Sequence, residues 1–255
     1  MKLNNDISHN GGTSALLLQS DCYKPLRVLN LYCGIGGNRK NWSNVKVTAV
    51  ELDPEIADIY KQHFPEDEVI VGDAHQYLLD HYSEFDFIWS SFPCTTHTRM
   101  NVNFNRVRYP DFGLYEEIVF LNTFFKGKFC VENVIPYYGN EGLIIPGLAA
   151  QQYNRHLFWC NFKIRTTDKR NPPKQIQNII AQNTKRKRKT YNGDIVNIKS
   201  TQPHFGFDLS NVSLKTQKDK ILRNCVDPEI GLEILNCARN IINAKTNQPS
   251  LFTDW

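Results

Sequence analysis

The stretch Arg27-Val28-Leu29-Asn30-Leu31-Tyr32-Cys33-Gly34-Ile35-Gly36-Gly37 decides the fold. Arg27 to Tyr32 reads as a buried strand that runs directly into a glycine turn. Glycine there lets the backbone approach a ligand closely at the carboxyl end of a sheet. Downstream, short β-branched runs alternate with helical stretches. Val45 to Glu51 is a second strand; Asp53 caps, and Pro54 opens, a helix reaching His63. Val69 to Val71 is a third strand, Ala74 to Tyr82 a helix and Phe85 to Ser90 a fourth strand. Gly113 to Phe125 again has helical spacing, and Lys128 to Glu132 is a fifth strand. Strands separated by helices of this length pair in parallel, so the expected class is α/β with a doubly wound, mostly parallel sheet. Pro228 to Ala244 is patterned as a late amphipathic helix, and the sequence holds no internal repeat.

Composition bounds the remaining possibilities. With 255 residues, 29.5 kDa and 41% hydrophobic content, the chain can bury one good core and carry a small second lobe. Apolar runs such as Ala15 to Leu18 and Ile118 to Leu121 are too short to span a bilayer, so no membrane association is expected. Residues 1–20 are polar, without the pattern of a secretion signal, and read as a loose tail. The seven cysteines are scattered, odd in number and never form a C-x-x-C pair. This argues against a disulfide framework or a metal site and for a reducing compartment, with cytoplasmic location the expectation.

The net charge of +4 divides unevenly along the sequence. Residues 161–224 hold 15 of the 30 Lys+Arg and 4 of the 26 Asp+Glu, a local balance of +11 that leaves −7 for the rest. In the same stretch Pro172-Pro173, the run Lys185-Arg186-Lys187-Arg188-Lys189 and Asn192-Gly193 interrupt regular structure, as in an inserted, loop-rich lobe. Such asymmetry suits a polyanion partner, or a solvated lysine-rich surface; charge alone does not choose between them.

Chemistry concentrates at the expected carboxyl ends of the strands. Glu51 ends the second strand about 15 residues after the glycine turn, where α/β nucleotide sites place the carboxylate that accepts from ribose hydroxyls. Leu52 follows and could pack on an adenine face, while Asp73, after the third strand, could accept from the adenine amino group. Arg39 replaces the third glycine of a dinucleotide fingerprint, so an adenosine ligand without pyrophosphate fits better, with S-adenosylmethionine the candidate; a structural turn with solvent-facing carboxylates is the competing view. The fourth strand delivers Pro93-Cys94 into a polar loop, and the fifth ends in Val131-Glu132-Asn133-Val134. A lone cysteine is usually a small buried hydrophobe. A thiol beside a carboxylic acid at adjacent strand ends also suits covalent attack on an electron-poor ring that must be protonated as it is attacked.

Gly34-Ile35-Gly36-Gly37, Glu51, Asp73, Pro93-Cys94, Glu132-Asn133-Val134 and Arg155 stand in the order found in DNA cytosine-5 methyltransferases, a family this sequence resembles from about Leu26 to Phe162 and again near Asn224. Arg99 to Asn105, Arg108-Tyr109-Pro110 and Arg155 to Trp159 look most like its compact, phage-type members. The resemblance implies a Rossmann-like class I S-adenosylmethionine-dependent methyltransferase. Its body would comprise residues 21–160 and 225–255, with 161–224 as the target-recognition lobe. It implies S-adenosylmethionine held by Tyr32, Cys33, Gly34, Ile35, Gly36, Gly37, Glu51, Leu52, Asp73, Pro93, Asn224 and Val226. Cys94 would add to cytosine C6, Glu132 would protonate N3, and Arg155 would bind the O2 edge of a base flipped out of the duplex. Arg99, Arg106 and Arg108 in the loop from Thr95 to Asp111, with Lys185, Arg186, Lys187, Arg188 and Lys189, would bind double-stranded DNA, in a protein expected to be monomeric.

The sequence departs from the family pattern in places. The family's R-x-R around Arg155 is broken by Leu157 and Tyr153, leaving His156 or a loop arginine as the substitute. Tyr32 stands where phenylalanine is usual, and Arg223 replaces a frequent glycine before Asn224-Cys225-Val226. Cys94 through Arg99 (CTTHTR) is also similar to tRNA-directed relatives, so a tRNA substrate and a catalytically silent DNA-binding protein stand as alternatives. The basic lobe favours DNA, and retention of Cys94, Glu132 and the glycine turn favours an active enzyme.

Overall fold

The computed structural model describes residues 24–103, 108–139, 142–153, 156–165, 205–209, 212 and 218–240. The expected N-terminal tail, Arg106, Arg155, the Lys185–Lys189 run with most of the basic lobe, and residues 241–255 lie outside them.

The strands are β1 (Leu26–Leu31), β2 (Val45–Glu51), β3 (Glu68–Val71), β4 (Phe87–Ser90), β5 (Lys128–Val134), β6 (Gln151–Tyr153) and β7 (His156–Cys160). They form one sheet in the order β3-β2-β1-β4-β5-β7-β6. The first five pair in parallel, as the alternation of strands and helices predicts. β7 turns back antiparallel along β5, with Glu132 opposite Phe158 and Val134 opposite His156, and β6 adds the outer antiparallel strand. This hairpin is not expected from the sequence, because strands of three and five residues are too short to show a period.

Both faces of the sheet are covered, which is why β1 and β4 read as continuous apolar runs and not as alternating ones. One face buries Val28, Val47, Phe87, Trp89 and Phe158; the other buries Leu29, Leu31, Ile88, Phe129 and Trp159. The polar break in β1, Asn30, is fully buried and is satisfied by Asn38, whose amide donates to it at 2.8 Å.

Helices α1 (Pro54–His63) and α2 (Ala74–His81) follow β2 and β3 and are capped by Asp53 and Asp73. A one-turn helix α3 (Met100–Asn103) lies in the loop after β4, and α4 (Gly113–Phe124) packs Leu114, Ile118 and Leu121 on the second face. The late segments are α5 (Lys218–Arg223) and α6 (Pro228–Ala238), the latter capped by Asp227. α6 packs Ile234 and Leu235 into the cluster that contains Val28 of β1. Its expected extent to Ala244 runs outside the described residues; within them it stops at Ala238, and Asn240 takes a left-handed backbone (φ 57°). Phe207 and Leu209, with Ile221 and Leu222 of α5, are buried against Ile35 and Ile59, so part of the basic stretch packs on the body of the fold.

α6 is pressed tightly onto the segment between β1 and β2. Trp42 Nε1 donates to the Gly231 carbonyl at 3.0 Å, and a Cβ on Gly231 would lie 2.2 Å from the Asn38 carbonyl oxygen. Alanine improves helix propensity by about 1 kcal/mol. Here the clash outweighs that gain, and Gly231→Ala is expected to destabilise the protein by about 1–3 kcal/mol in urea unfolding. Unchanged or increased stability would show that α6 can move away from Asn38 freely.

Candidate active site

The glycine turn contains three different constraints. Tyr32 (φ 53°), Gly34 (φ 55°) and Gly36 (φ 86°) all adopt left-handed backbone, so the chain reverses sharply at the end of β1. A Cβ on Gly36 would meet the Phe64 ring at 2.3 Å, and one on Gly37 would meet the Val226 carbonyl at 2.5 Å. These two glycines allow close packing of α1 and of the late Asn224-Cys225-Val226 segment. Gly34 instead borders open space, with no atom within 4 Å of a built Cβ, and the same holds for Gly72 after β3. Cys33 and Ile35 are buried, Ile35 among Ile59 and Phe207. Their side chains face the core, so their contribution to this edge is backbone.

Of the expected ligand-facing carboxylates, Glu51 borders the space at Gly34, and Asp73 follows Gly72 at the end of the adjacent β3. Glu51 Oε2 accepts from the Gly34 N–H at 2.9 Å and Oε1 from the Asp53 N–H at 3.0 Å, which ties the ends of β1 and β2 together. Asp73 Oδ1 accepts from the backbone of His75 and Gln76, and Leu52 stands 71% exposed beside Glu51. An exposed apolar side chain between two acidic positions, beside glycines with room in front of them, fits the adenosyl cofactor expected from the sequence.

On the other side of β1, Pro93 leads Cys94 into a one-turn 3-10 segment, Cys94–Thr96, whose Cys94 carbonyl accepts from the N–H groups of His97 and Thr98. This loop is fastened to the end of β5. Asn133 Nδ2 donates to the Phe92 carbonyl at 3.0 Å, Tyr137 N–H donates to the His97 carbonyl, and Arg99 Nε donates to the Pro136 carbonyl at 3.3 Å. Asp111 N–H donates to Thr96 Oγ1, and Tyr137 O–H to the Arg108 carbonyl at 2.7 Å. Cys94 and Glu132 are therefore presented by two segments hydrogen-bonded to each other. Asn133, part of the Glu132-Asn133-Val134 motif but given no separate role by sequence, is one of the residues that join them.

Both groups are pushed toward their neutral forms. Burial raises the Cys94 thiol, and the nearby Glu132 raises it further; a backbone hydrogen bond and the Lys220 ammonium pull it down. Burial raises Glu132, while His156 and a hydrogen bond from Ser91 pull it down. Ser91 is held in turn by Trp89 Nε1, which donates to its hydroxyl at 2.8 Å. His156 Nε2 lies 3.6 Å from Glu132 Oε1, because the antiparallel register places it opposite Val134 on the Glu132 face. Leu157 is buried and faces the other way. Of the two substitutes expected for the missing arginine, His156 is thus the one found beside Glu132 among the described residues. Lys220, seen by sequence only as part of a charge excess, also reaches this site electrostatically. Asn224 is exposed, and Val226 is buried against Gly37, so the late motif does return to the glycine turn. Among the described residues no group of His, Cys, Asp and Glu could hold a metal, and no helix is long and apolar enough to cross a membrane.

Comparison with known proteins agrees with this geometry. Residues 26–103 match the family described as C-5 cytosine-specific DNA methylase. No curated protein matches the chain in sequence. Among solved structures, a mutant of DNMT2 from Spodoptera frugiperda is similar with TM-score 0.51 and 15% identity, over 84% of this chain and 99% of that one. A TehB-like SAM-dependent methyltransferase from Corynebacterium glutamicum gives TM-score 0.36 and 19% identity, over 57% of this chain and 84% of that one. The class defined by sheet order and crevice is the Rossmann-like methyltransferase fold, shared with DNMT2.

The opposed influences on Cys94 have a measurable consequence. Replacing Lys220 with alanine removes the cation that favours the thiolate, so the thiol rises further and reacts more slowly with iodoacetamide at a fixed pH near 8. Peptide-resolved mass spectrometry of the labelled protein reads this directly. A rate for Cys94 that is equal or faster would show that Lys220 does not act on the thiol.

Proposed function

We propose that this protein transfers a methyl group from S-adenosylmethionine to C5 of cytosine in double-stranded DNA, through a covalent bond between Cys94 and C6. The observation that carries this reading is the fastening of the Cys94 loop to the Glu132 strand through Asn133 and Phe92. That bond holds a nucleophile and an acid at one sheet edge, beside the open space in front of Gly34.

Cytosine C5 is not nucleophilic enough to take a methyl group directly. Once the Cys94 thiol has released its proton to solvent, attack by the thiolate on C6 breaks the C5–C6 π bond and moves its electron pair toward C5 and N3, where the Glu132 acid delivers a proton. S-adenosylmethionine supplies the electrophilic methyl group that C5 then captures. Loss of the C5 proton and expulsion of the Cys94 thiolate restore the double bond, and return of the N3 proton to Glu132 releases 5-methylcytosine and regenerates the acid. Gly34, Glu51, Leu52, Gly72 and Asp73 line the cofactor side of β1, with Tyr32 between the two halves of the site. His156, 3.6 Å from Glu132, supports that carboxyl from the segment where the family pattern has a second arginine. The target must leave the duplex to reach Cys94, and the loop arginines Arg99 and Arg108 flank its entry.

A tRNA substrate is the second reading, favoured by the CTTHTR stretch from Cys94 and by the DNMT2-like fold. Incubation with labelled S-adenosylmethionine and either duplex DNA or tRNA separates the two, with the label expected in DNA at cytosine C5. DNA containing 5-fluorocytosine should trap a covalent adduct with the wild-type protein and none with Cys94→Ser. An intact Cys94 that transfers methyl groups without forming the adduct would refute the mechanism.

The pH dependence follows from the charges around Glu132. The acid form is the one that acts, and His156 favours the carboxylate. His156→Ala therefore keeps Glu132 protonated to higher pH, and the basic limb of the kcat/KM profile moves upward. A limb that stays in place or moves down would remove His156 from this role.

A further inference from the structure

Glu117 is a buried carboxylate that the proposed chemistry does not use. It lies on α4 with 0% exposure, among apolar residues that face the sheet. Three side chains from three other segments converge on it. Tyr32 O–H donates to Oε1 at 2.6 Å, Ser90 O–H donates to Oε2 at 2.7 Å, and His75 Nδ1 lies 3.1 Å from Oε1. Burying a carboxylate is costly unless its acceptor capacity is filled, and here it is filled from outside its own helix.

The donors are the end residues of the segments that build the site. Tyr32 closes β1 in strained left-handed backbone immediately before the glycine turn, and its ring packs edge-on against Phe92 at 5.4 Å. Ser90 is the last residue of β4, four positions before Cys94. His75 stands in the first turn of α2, and its backbone N–H is one of the two that hold the Asp73 carboxylate. One carboxylate thus connects the glycine turn, the Asp73 cap and the strand that carries the nucleophile. The Tyr32 hydroxyl is what makes the first connection; a phenylalanine at that position fills the same space and makes none.

We propose that Glu117 is a positioning residue for the cofactor site, acting through Tyr32, His75 and Ser90 to set the distance between the adenosine-side residues and the Cys94 strand. This rests on the S-adenosylmethionine reading above and adds three residues to it that touch neither cofactor nor base: Glu117, His75 and Ser90. Because the network joins both halves of the crevice, its loss loosens the half that binds the cofactor before it touches the chemistry of Cys94.

Calorimetric binding of S-adenosylhomocysteine to the full chain, with thermal unfolding of each variant, tests this without relying on turnover. Tyr32→Phe removes one oxygen and is expected to weaken binding about three- to tenfold. Glu117→Gln should weaken it at least as much, and adding Tyr32→Phe to Glu117→Gln should cost little more, because both act through one bond. In turnover, KM for S-adenosylmethionine should rise by a larger factor than kcat falls. If Tyr32→Phe and Glu117→Gln only lower the unfolding temperature and bind S-adenosylhomocysteine as tightly as wild type, the positioning role is overturned and the cofactor assignment stands. If the wild-type protein binds neither S-adenosylhomocysteine nor S-adenosylmethionine, both fall together.

Discussion

The parallel pairing of β1 with both β2 and β4 is the constraint from which the site follows. From β1 the chain goes first to one side, through β2 and β3, and then returns to the other, through β4 and β5. At such a reversal the connections leave in opposite directions and a crevice opens at the carboxyl ends of the strands. Everything that ends a parallel strand is delivered there: the glycine turn, Glu51 and Asp73 on one side, Cys94 and Glu132 on the other. The antiparallel β7 brings a different kind of residue to the same edge. It begins where β5 ends, so its first residue, His156, arrives beside the last residues of β5.

Three carboxylates near this edge differ in what satisfies them, and the difference separates their roles. Glu51 takes two backbone N–H groups, which fixes it in place and leaves it partly open to the crevice. Glu117 is fully buried and takes three side-chain donors, which suits a fastener. Glu132 is buried, with Ser91 and His156 supporting a charge among the described residues, and burial outweighs both. A carboxyl with few donors in a dry place holds its proton to higher pH than a free one, which suits the acid role proposed for it.

The parallel core was legible in the sequence because strands covered on both faces appear as unbroken apolar runs with glycine or a capping aspartate after them. Asp53-Pro54 and Gly72-Asp73 mark their helix starts to the residue. The β6–β7 hairpin was not legible, since its pairing is set by register with β5 and not by any local period. For the same reason His156 could be named only as one of two substitutes: which face it shares with Glu132 depends on that register. Glu117 carries no local signal of its role, because its partners lie 27, 42 and 85 residues away. Gly34, Gly36 and Gly37 look equivalent as letters, yet one faces open space, one faces an aromatic ring and one faces the late backbone segment.

Glu132 also constrains Cys94. It raises the cost of ionising the thiol at a site where burial already penalises charge on both groups. A thiol held neutral is a poor nucleophile until its proton leaves. In the mechanism proposed above, the negative charge that the sulfur brings to the ring moves to the nitrogen that Glu132 would protonate. Lys220 and His156 stand outside this pair as opposite weights, the first easing release of the thiol proton and the second limiting how firmly the acid keeps its own. On that proposal attack and protonation are linked through the substrate, and a ring without the nitrogen acceptor has nowhere to place the charge that the sulfur brings.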